Sequence, residues 1–229
     1  MPKSKRREYA RAGRVKRRDA IREERGIICL IVCEGEKTEP NYFRGLVDFL
    51  NENGSNKIKV RAVGKGRNTT DLVENLEEYF IFSDKLLGQT DIPYGKIIVV
   101  FDKDSFGDVQ FNEAIEMARR KHPECIVAWS NESFELWLYL HYHYSESVLG
   151  RHEYNKKLSE ILKDKNFKTE EMLFNKIIEN GGSVKKAIHN AKKLLKSTEK
   201  EKSPAKKNPA TMVFEAVEAL CNEAGYKFK

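Results

Sequence analysis

Four short apolar runs alternate with amphipathic segments between residues 27 and 143. Ile27-Ile28-Cys29-Leu30-Ile31-Val32-Cys33 has no polar position, which predicts a strand covered on both faces of a sheet. Ile97-Ile98-Val99-Val100-Phe101 and Cys125-Ile126-Val127-Ala128-Trp129 repeat that character. Ile58, Val60 and Ala62 instead alternate with Lys57, Lys59 and Arg61, so this strand has one polar face and belongs near an edge. Between the strands the period becomes helical. Thr38 and Pro40 start a helix, Tyr42, Phe43, Leu46, Val47 and Leu50 line one side of it, and Asn53-Gly54 stops it. Leu72, Leu76, Tyr79 and Phe80 predict a long second helix capped near Thr69 or Thr70. Phe111, Ala114, Ile115 and Ala118 predict a third. A fourth runs from Glu132 to about His143, capped by Ser130-Asn131.

A β-α-β-α-β-α-β-α order predicts an α/β fold, a mainly parallel sheet with helices on both faces. Past Gly150 the strand signals stop. Leu158, Ile161 and Leu162 mark one amphipathic helix. Val184, Ala187, Ile188, Ala191 and Leu194 mark a second, and Met212, Val213, Ala216, Val217 and Leu220 a third. The expected organisation is a basic arm over 1–26, an α/β domain over 27–150 and a helical part over 151–229 packed on it.

Charge changes the picture at one end. The chain has 229 residues and a formal net charge of +7. Residues 1–26 hold 11 basic and four acidic residues, which leaves 31 of each sign in the remainder. The whole excess therefore lies in the arm. Arg6, Arg7, Arg14, Lys16, Arg17 and Arg18 are its candidate contacts to nucleic acid, a polyanion whose counterions such an arm releases on binding. A solvated tail is the plainer reading of the same residues. A second lysine-rich stretch, Lys192 to Lys207, reads as a mobile loop between two helices. No run of 18 apolar residues is present and no apolar core follows the basic N-terminus, so neither a membrane span nor a secretory signal is expected. Cys29, Cys33, Cys125 and Cys221 lie far apart, mostly in apolar runs, as buried reduced thiols of a cytoplasmic protein do.

The candidate chemistry sits at strand ends, where open α/β sheets bind ligands. Glu34 directly follows the first strand; Asp102 and Asp104 follow the third, as Phe101-Asp102-Lys103-Asp104. If those strands are neighbours, the three carboxylates converge, and two like charges about 4 Å apart repel by roughly 4 kcal/mol at an effective dielectric of 20. A divalent cation removes that cost, and hard oxygen donors suit Mg²⁺ or Mn²⁺ rather than Zn²⁺. In an extended segment Asp102 and Asp104 would face one side while Lys103 faces the other. Gly35 permits a sharp turn after Glu34, and Lys37 stands at a helix start, where it can meet a phosphate or a developing oxyanion. Each acid alone is also an ordinary helix cap; the combination is what singles the group out.

Four blocks then carry a resemblance. Val32-Cys33-Glu34-Gly35-Glu36-Lys37-Thr38-Glu39-Pro40-Asn41-Tyr42-Phe43, Phe101-Asp102-Lys103-Asp104, Ser130-Asn131-Glu132-Ser133-Phe134-Glu135-Leu136-Trp137 and Asn208-Pro209-Ala210-Thr211 together resemble the RloB-like family, in the expected order. The third block departs from the family at Glu132, where a proline often stands. The resemblance implies a TOPRIM-like fold, with Glu34 as the first acid of the metal site and Asp102 and Asp104 as its pair. Glu135 matches a recurring glutamate, either a further metal or catalytic carboxylate or a group orienting Lys37 or another base. The resemblance also implies a place in abortive-infection defence against phage, an AAA- or ABC-type ATPase partner and a homodimer.

The reading that follows is a Mg²⁺-dependent nuclease acting on DNA or RNA, tRNA included. Asp102 and Asp104 would hold the metal, Glu34 would ligate it or accept a proton, and Lys37 would stabilise the transition state. The alternative is a non-catalytic subunit that binds nucleic acid or an ATPase and keeps the acids for structure. A receiver-like phosphorylation domain fits less well, because its paired acids follow the first strand. His141-Tyr142-His143-Tyr144 reads as packing, since i and i+2 do not share a helix face. Trp129 and Trp137 read as core or pocket wall. Gly64-Lys65-Gly66-Arg67-Asn68-Thr69-Thr70 lacks the spacing of an NTPase phosphate loop, although it suits a basic loop at the ligand edge.

Overall fold

The apolar runs become the centre of a five-stranded sheet. The computed structural model describes residues 27–64, 66, 69–79 and 95–228. Strands β1 (Ile27–Cys33), β2 (Ile58–Gly64), β3 (Lys96–Asp102) and β4 (Cys125–Asn131) are parallel and stand in the order β2-β1-β3-β4. Strand β5 (Ala210–Thr211) adds antiparallel to β4, with Ser130 opposite Thr211 and Asn131 opposite Ala210. The half-exposed β2 lies at the edge, as its polar face predicts.

Among the described residues eight α-helices surround the sheet. They are α1 (Thr38–Asn53), α2 (Thr69–Glu74), α3 (Asp108–Lys121), α4 (Phe134–Leu140), α5 (Arg151–Leu162), α6 (Leu173–Glu179), α7 (Val184–Ser197) and α8 (Val213–Ala224). Side chains of β1 divide by parity, as a strand buried on both faces requires. Cys29, Ile31 and Cys33 join one core with α1, α4, α6 and α8; Leu30 and Val32 join the other with α2 and α3. The first core is the larger and also takes in α5 and α7, so the helices after Gly150 fill one face of the sheet. Gly45 of α1 lets α6 approach closely: a Cβ there would lie 2.7 Å from Phe174 Cβ. No helix among the described residues is long and apolar enough to cross a membrane. The four cysteines are buried and form no disulfide.

Some boundaries differ from the sequence reading, for physical reasons. Ser130 and Asn131 do not cap the fourth helix. They are engaged by the last part of the chain, Ser130 Oγ lying 2.9 Å from Thr211 Oγ1 and Asn131 Nδ2 donating to Ala205 O. The helix therefore begins at Phe134 behind Ser133, and it ends at Leu140 rather than near His143. Helix α2 ends at Glu74 and tightens into turns, where the sequence predicts a long helix. The lysine-rich stretch is not loop throughout, because Lys192–Ser197 are the last turns of α7. The loop beyond is anchored: Asn112 bonds both Ser203 Oγ and the Ala205 amide. The arm residues Arg6, Arg7, Arg14, Lys16, Arg17 and Arg18, with Lys65, Arg67 and Asn68, lie outside the described residues.

Candidate active site

Adjacent pairing of β1 and β3 decides the site. Cys33 stands opposite Val100, so Glu34 leaves its strand beside the end of β3. The Glu34 amide continues the ladder to Val100 O at 2.9 Å, and its Oε2 accepts the Asp102 N–H at 3.0 Å and the Thr69 hydroxyl at 3.2 Å. The Gly66 amide donates to Glu34 O at 2.9 Å, which brings the loop after β2 against the same residue. Asp104 is not extended as the i, i+2 argument supposes. Its φ of 36° lies in the left-handed region, which Asp tolerates better than most residues. The turn is held from β4: Lys103 N–H bonds Ser130 O and Asp104 N–H bonds Glu132 O. The second block is thereby fastened to the third, and the third to the fourth through Ser130 and Asn131.

Glu34, Asp102 and Asp104 line one cavity of about 400 Å³, with Lys37, Glu39 and Glu135. Lys37 is exposed at the start of α1, on the cavity's rim. Two further cations come from after Gly150. Arg151 Nη2 lies 2.8 Å from Asp102 Oδ2, and Nη1 lies 3.0 Å from Asp104 Oδ2. Lys168 Nζ lies 2.6 Å from Glu135 Oε1. Lys168 is held there by the first turn of α1, where Thr38 Oγ1 donates to Lys168 O and Asn41 Nδ2 to Glu170 O. Glu39 packs so closely against Gly35 that a Cβ at Gly35 would lie 2.1 Å from its Oε2. A side chain at position 35 would therefore have to push the Glu39 carboxyl aside.

The electrostatics separate these carboxyls. Burial raises Glu34, against the opposing effect of the Asp102 amide and the Thr69 hydroxyl. Burial, with Glu39 and Glu135 nearby, pushes Asp102 well above the usual carboxylate range. Burial likewise pushes Glu39 up to about 7. Burial would raise Glu135 too, but Lys168 and Arg151 outweigh it and hold that carboxyl below its ordinary value. Glu135 is thus an anion paired with Lys168 and lying 3.6 Å from Arg151 Nε.

Asp102 is 5% exposed; the Phe134 amide is near enough to favour its charged form, yet its Oδ1 makes no well-formed hydrogen bond. A buried carboxylate oxygen without a donor costs roughly 1–3 kcal/mol, more when charged. The donors are hard oxygens, and the described cysteines lie in the core, so the set suits Mg²⁺ or Mn²⁺. Its spacing does not yet do so. Among the described residues no three His, Cys, Asp or Glu side chains are arranged to hold a metal ion. The Arg151 guanidinium stands between Asp102 and Asp104.

Other sequence candidates have gone elsewhere. His141 is in the core: Tyr42 Oη donates to its Nε2 at 3.1 Å, and its Nδ1 donates to Trp137 O at 3.0 Å. Trp129 and Trp137 are buried packing residues, in opposite cores. Sequence reasoning missed Arg151, Lys168, Thr69 and the burial of Glu39. Glu39 lies inside the first block, beside Pro40, and passes there for a helix-start acid. Arg151 and Lys168 have no local signal, because the groups they meet are distant in the chain.

Comparison with curated proteins and with solved structures gives no match. A family model described as RloB-like protein matches residues 29–220. Those residues include Glu34 and the acidic pair, the turn that anchors them and both cations from the helical part, so the segment that builds the cavity is also the segment by which this chain belongs to the RloB-like family.

Proposed function

We propose that this protein is a metal-dependent nuclease acting on DNA or RNA, tRNA among its candidate substrates. In this reading it serves as an anti-phage, abortive-infection effector. The observation that supports it is the meeting of Glu34, Asp102 and Asp104 in one cavity at the strand ends, with Asp102 Oδ1 unpartnered. Mg²⁺ or Mn²⁺ at these carboxylates would neutralise charge on the scissile phosphate and orient the attacking water. Asp102 and Asp104 are the residues that would hold it. Glu34, fixed by the Asp102 amide and Thr69, ligates with them or accepts the proton of the nucleophile. Lys37, on the rim, meets the phosphate oxygens as charge develops on them. Glu135 positions the two inner cations. The basic arm grips the phosphate backbone without regard to sequence. An ATPase partner and a second copy of the chain belong to the same reading, on the family resemblance.

A second reading has one observation in its favour. Arg151 and Lys168 already balance part of the acidic charge, as a retired site in a non-catalytic scaffold would. Purified protein incubated with plasmid, single-stranded DNA and total tRNA, with Mg²⁺ or Mn²⁺, decides between them. Cleavage that disappears in Glu34→Gln and Asp102→Asn supports the nuclease. Binding without cleavage under every condition, ATPase partner included, favours the scaffold.

A further inference from the structure

Arg151, the first residue of α5, lies where a cation shared by Asp102 and Asp104 belongs. A guanidinium built as a permanent clamp grips one carboxylate through two parallel bonds and has its remaining N–H groups satisfied. Arg151 does neither. Its two terminal nitrogens are divided between two carboxylates, and its buried Nε has no hydrogen-bond acceptor, lying 3.6 Å from Glu135 Oε2. On the acidic side, Asp102 Oδ1 is also unmet. Both members of the pair therefore retain unsatisfied buried atoms, an arrangement that costs free energy and that a better-fitting cation would relieve. The Arg151 side chain is 36% exposed and rooted directly after Gly150, so a change of rotamer can carry it outward without opening the core.

We infer that Arg151 is a resident counter-ion that holds the acidic cluster together in the absence of metal and is displaced when a divalent cation takes the oxygens of Asp102 and Asp104. The inference rests on the metal reading proposed above for these carboxylates. It adds a competitor for them, supplied by the chain itself. The metal must break two charge-assisted contacts to enter, so the resting protein has a lower metal affinity than its carboxylates alone would give. Lys168 does not share this role, because its contact is with Glu135 and leaves the acidic pair untouched.

The test is Mn²⁺ titration of the full chain, with free Mn²⁺ followed by electron paramagnetic resonance, together with thermal unfolding in chelator and in Mn²⁺. Arg151→Gln should bind Mn²⁺ at least about tenfold more tightly than the wild type. It should melt lower in chelator and gain more from the same excess of Mn²⁺, since a ligand's stabilisation of the folded state rises with the logarithm of its affinity. Asp102→Asn should lose the binding. Equal affinity in wild type and Arg151→Gln, with the loss intact in Asp102→Asn, would overturn the inference and leave the metal reading standing. No Mn²⁺ binding by either protein would overturn both. Should Arg151→Gln fail to fold, Arg151→Lys carries the test. A single ammonium keeps one charge but cannot span both aspartates, so Mn²⁺ binding tighter than wild type supports the inference, and equal or weaker binding defeats it.

Discussion

Two buried polar clusters hang from the first turns of α1, three residues apart. Tyr42 belongs to one, with His141 and the Trp137 carbonyl, and Glu39 belongs to the other, with Glu34, Asp102 and Glu135. The Tyr42 cluster is neutral, and its one buried atom without a partner is the uncharged Trp137 indole Nε1. Burial pushes His141 down to about 4, so its ring stays uncharged, with one nitrogen donating and the other accepting. The Glu39 cluster is charged and open: it crowds acids, draws cations from distant helices and still has a carboxylate oxygen without a partner. Most buried polar groups in folded proteins find partners, and a charged group left without one costs far more than a neutral one. The contrast is therefore one of charge and access: the first cluster is a neutral part of the core, and the second sets acids and cations around an open cavity.

The sharpest break between them is chemical. Glu34→Gln or Asp102→Asn should lower metal-dependent cleavage by more than about 100-fold, since even a residue that only orients a metal ligand is worth about 10–100-fold. Undiminished cleavage in both variants would end the mechanism. In the neutral cluster the loss should be of stability instead. Trp137→Ala should cost about 3–5 kcal/mol in denaturant unfolding, by the same amount with and without Mn²⁺.

The pH dependence sharpens the comparison further. Burial raises the folded pKa of Glu39 from its ordinary 4.5 to about 7, so the fold prefers its protonated form. Its contribution is fully present below about pH 4.5 and is lost as pH rises through about 7. Glu39→Gln should therefore become more stable than the wild type between pH 5 and 8, by on the order of 2–3 kcal/mol in metal-free buffer. His141 acts in the opposite sense. Its folded pKa is lowered from 6.5 to about 4, so stability is lost as pH falls through that window. Because both proteins keep His141, the difference between their melting curves cancels it and reports Glu39 together with the carboxyls it faces, Asp102 and Glu135. A pH-independent difference would show that Glu39 is already ionised in the fold. The smallest expected effect is Tyr42→Phe, which removes the Tyr42–His141 bond and should cost about 1 kcal/mol. Calorimetry should find that cost unchanged by Mn²⁺.

Much of this molecule is written locally. The all-apolar run at 27–33 is a strand covered on both faces, and the alternating run at 58–62 is an edge strand. Helix starts that rest on Pro40 or on helical spacing of apolar residues are found close to where the sequence predicts them. The convergence of Glu34 with Asp102 and Asp104 was legible only conditionally, because the argument needed β1 and β3 to be neighbours. The detailed geometry was not: Asp104 reaches the cavity through a left-handed turn rather than an extended strand. Ser130-Asn131 resembled a helix cap because nothing nearby in sequence announced that β5 would engage it from 81 residues away.

The sequence by itself determined the four parallel strands, the presence of the helices between them and of three after Gly150, and the acids at two strand ends. Periodicity and turn chemistry are relations between near neighbours, and a linear chain records them directly. Tertiary structure alone decided which cations meet those acids. Arg151 reaches Asp102 across 49 positions, and Lys168 is fixed by Thr38 across 130. Neither contact leaves a local pattern, because it depends on how the later helices pack against one face of the sheet.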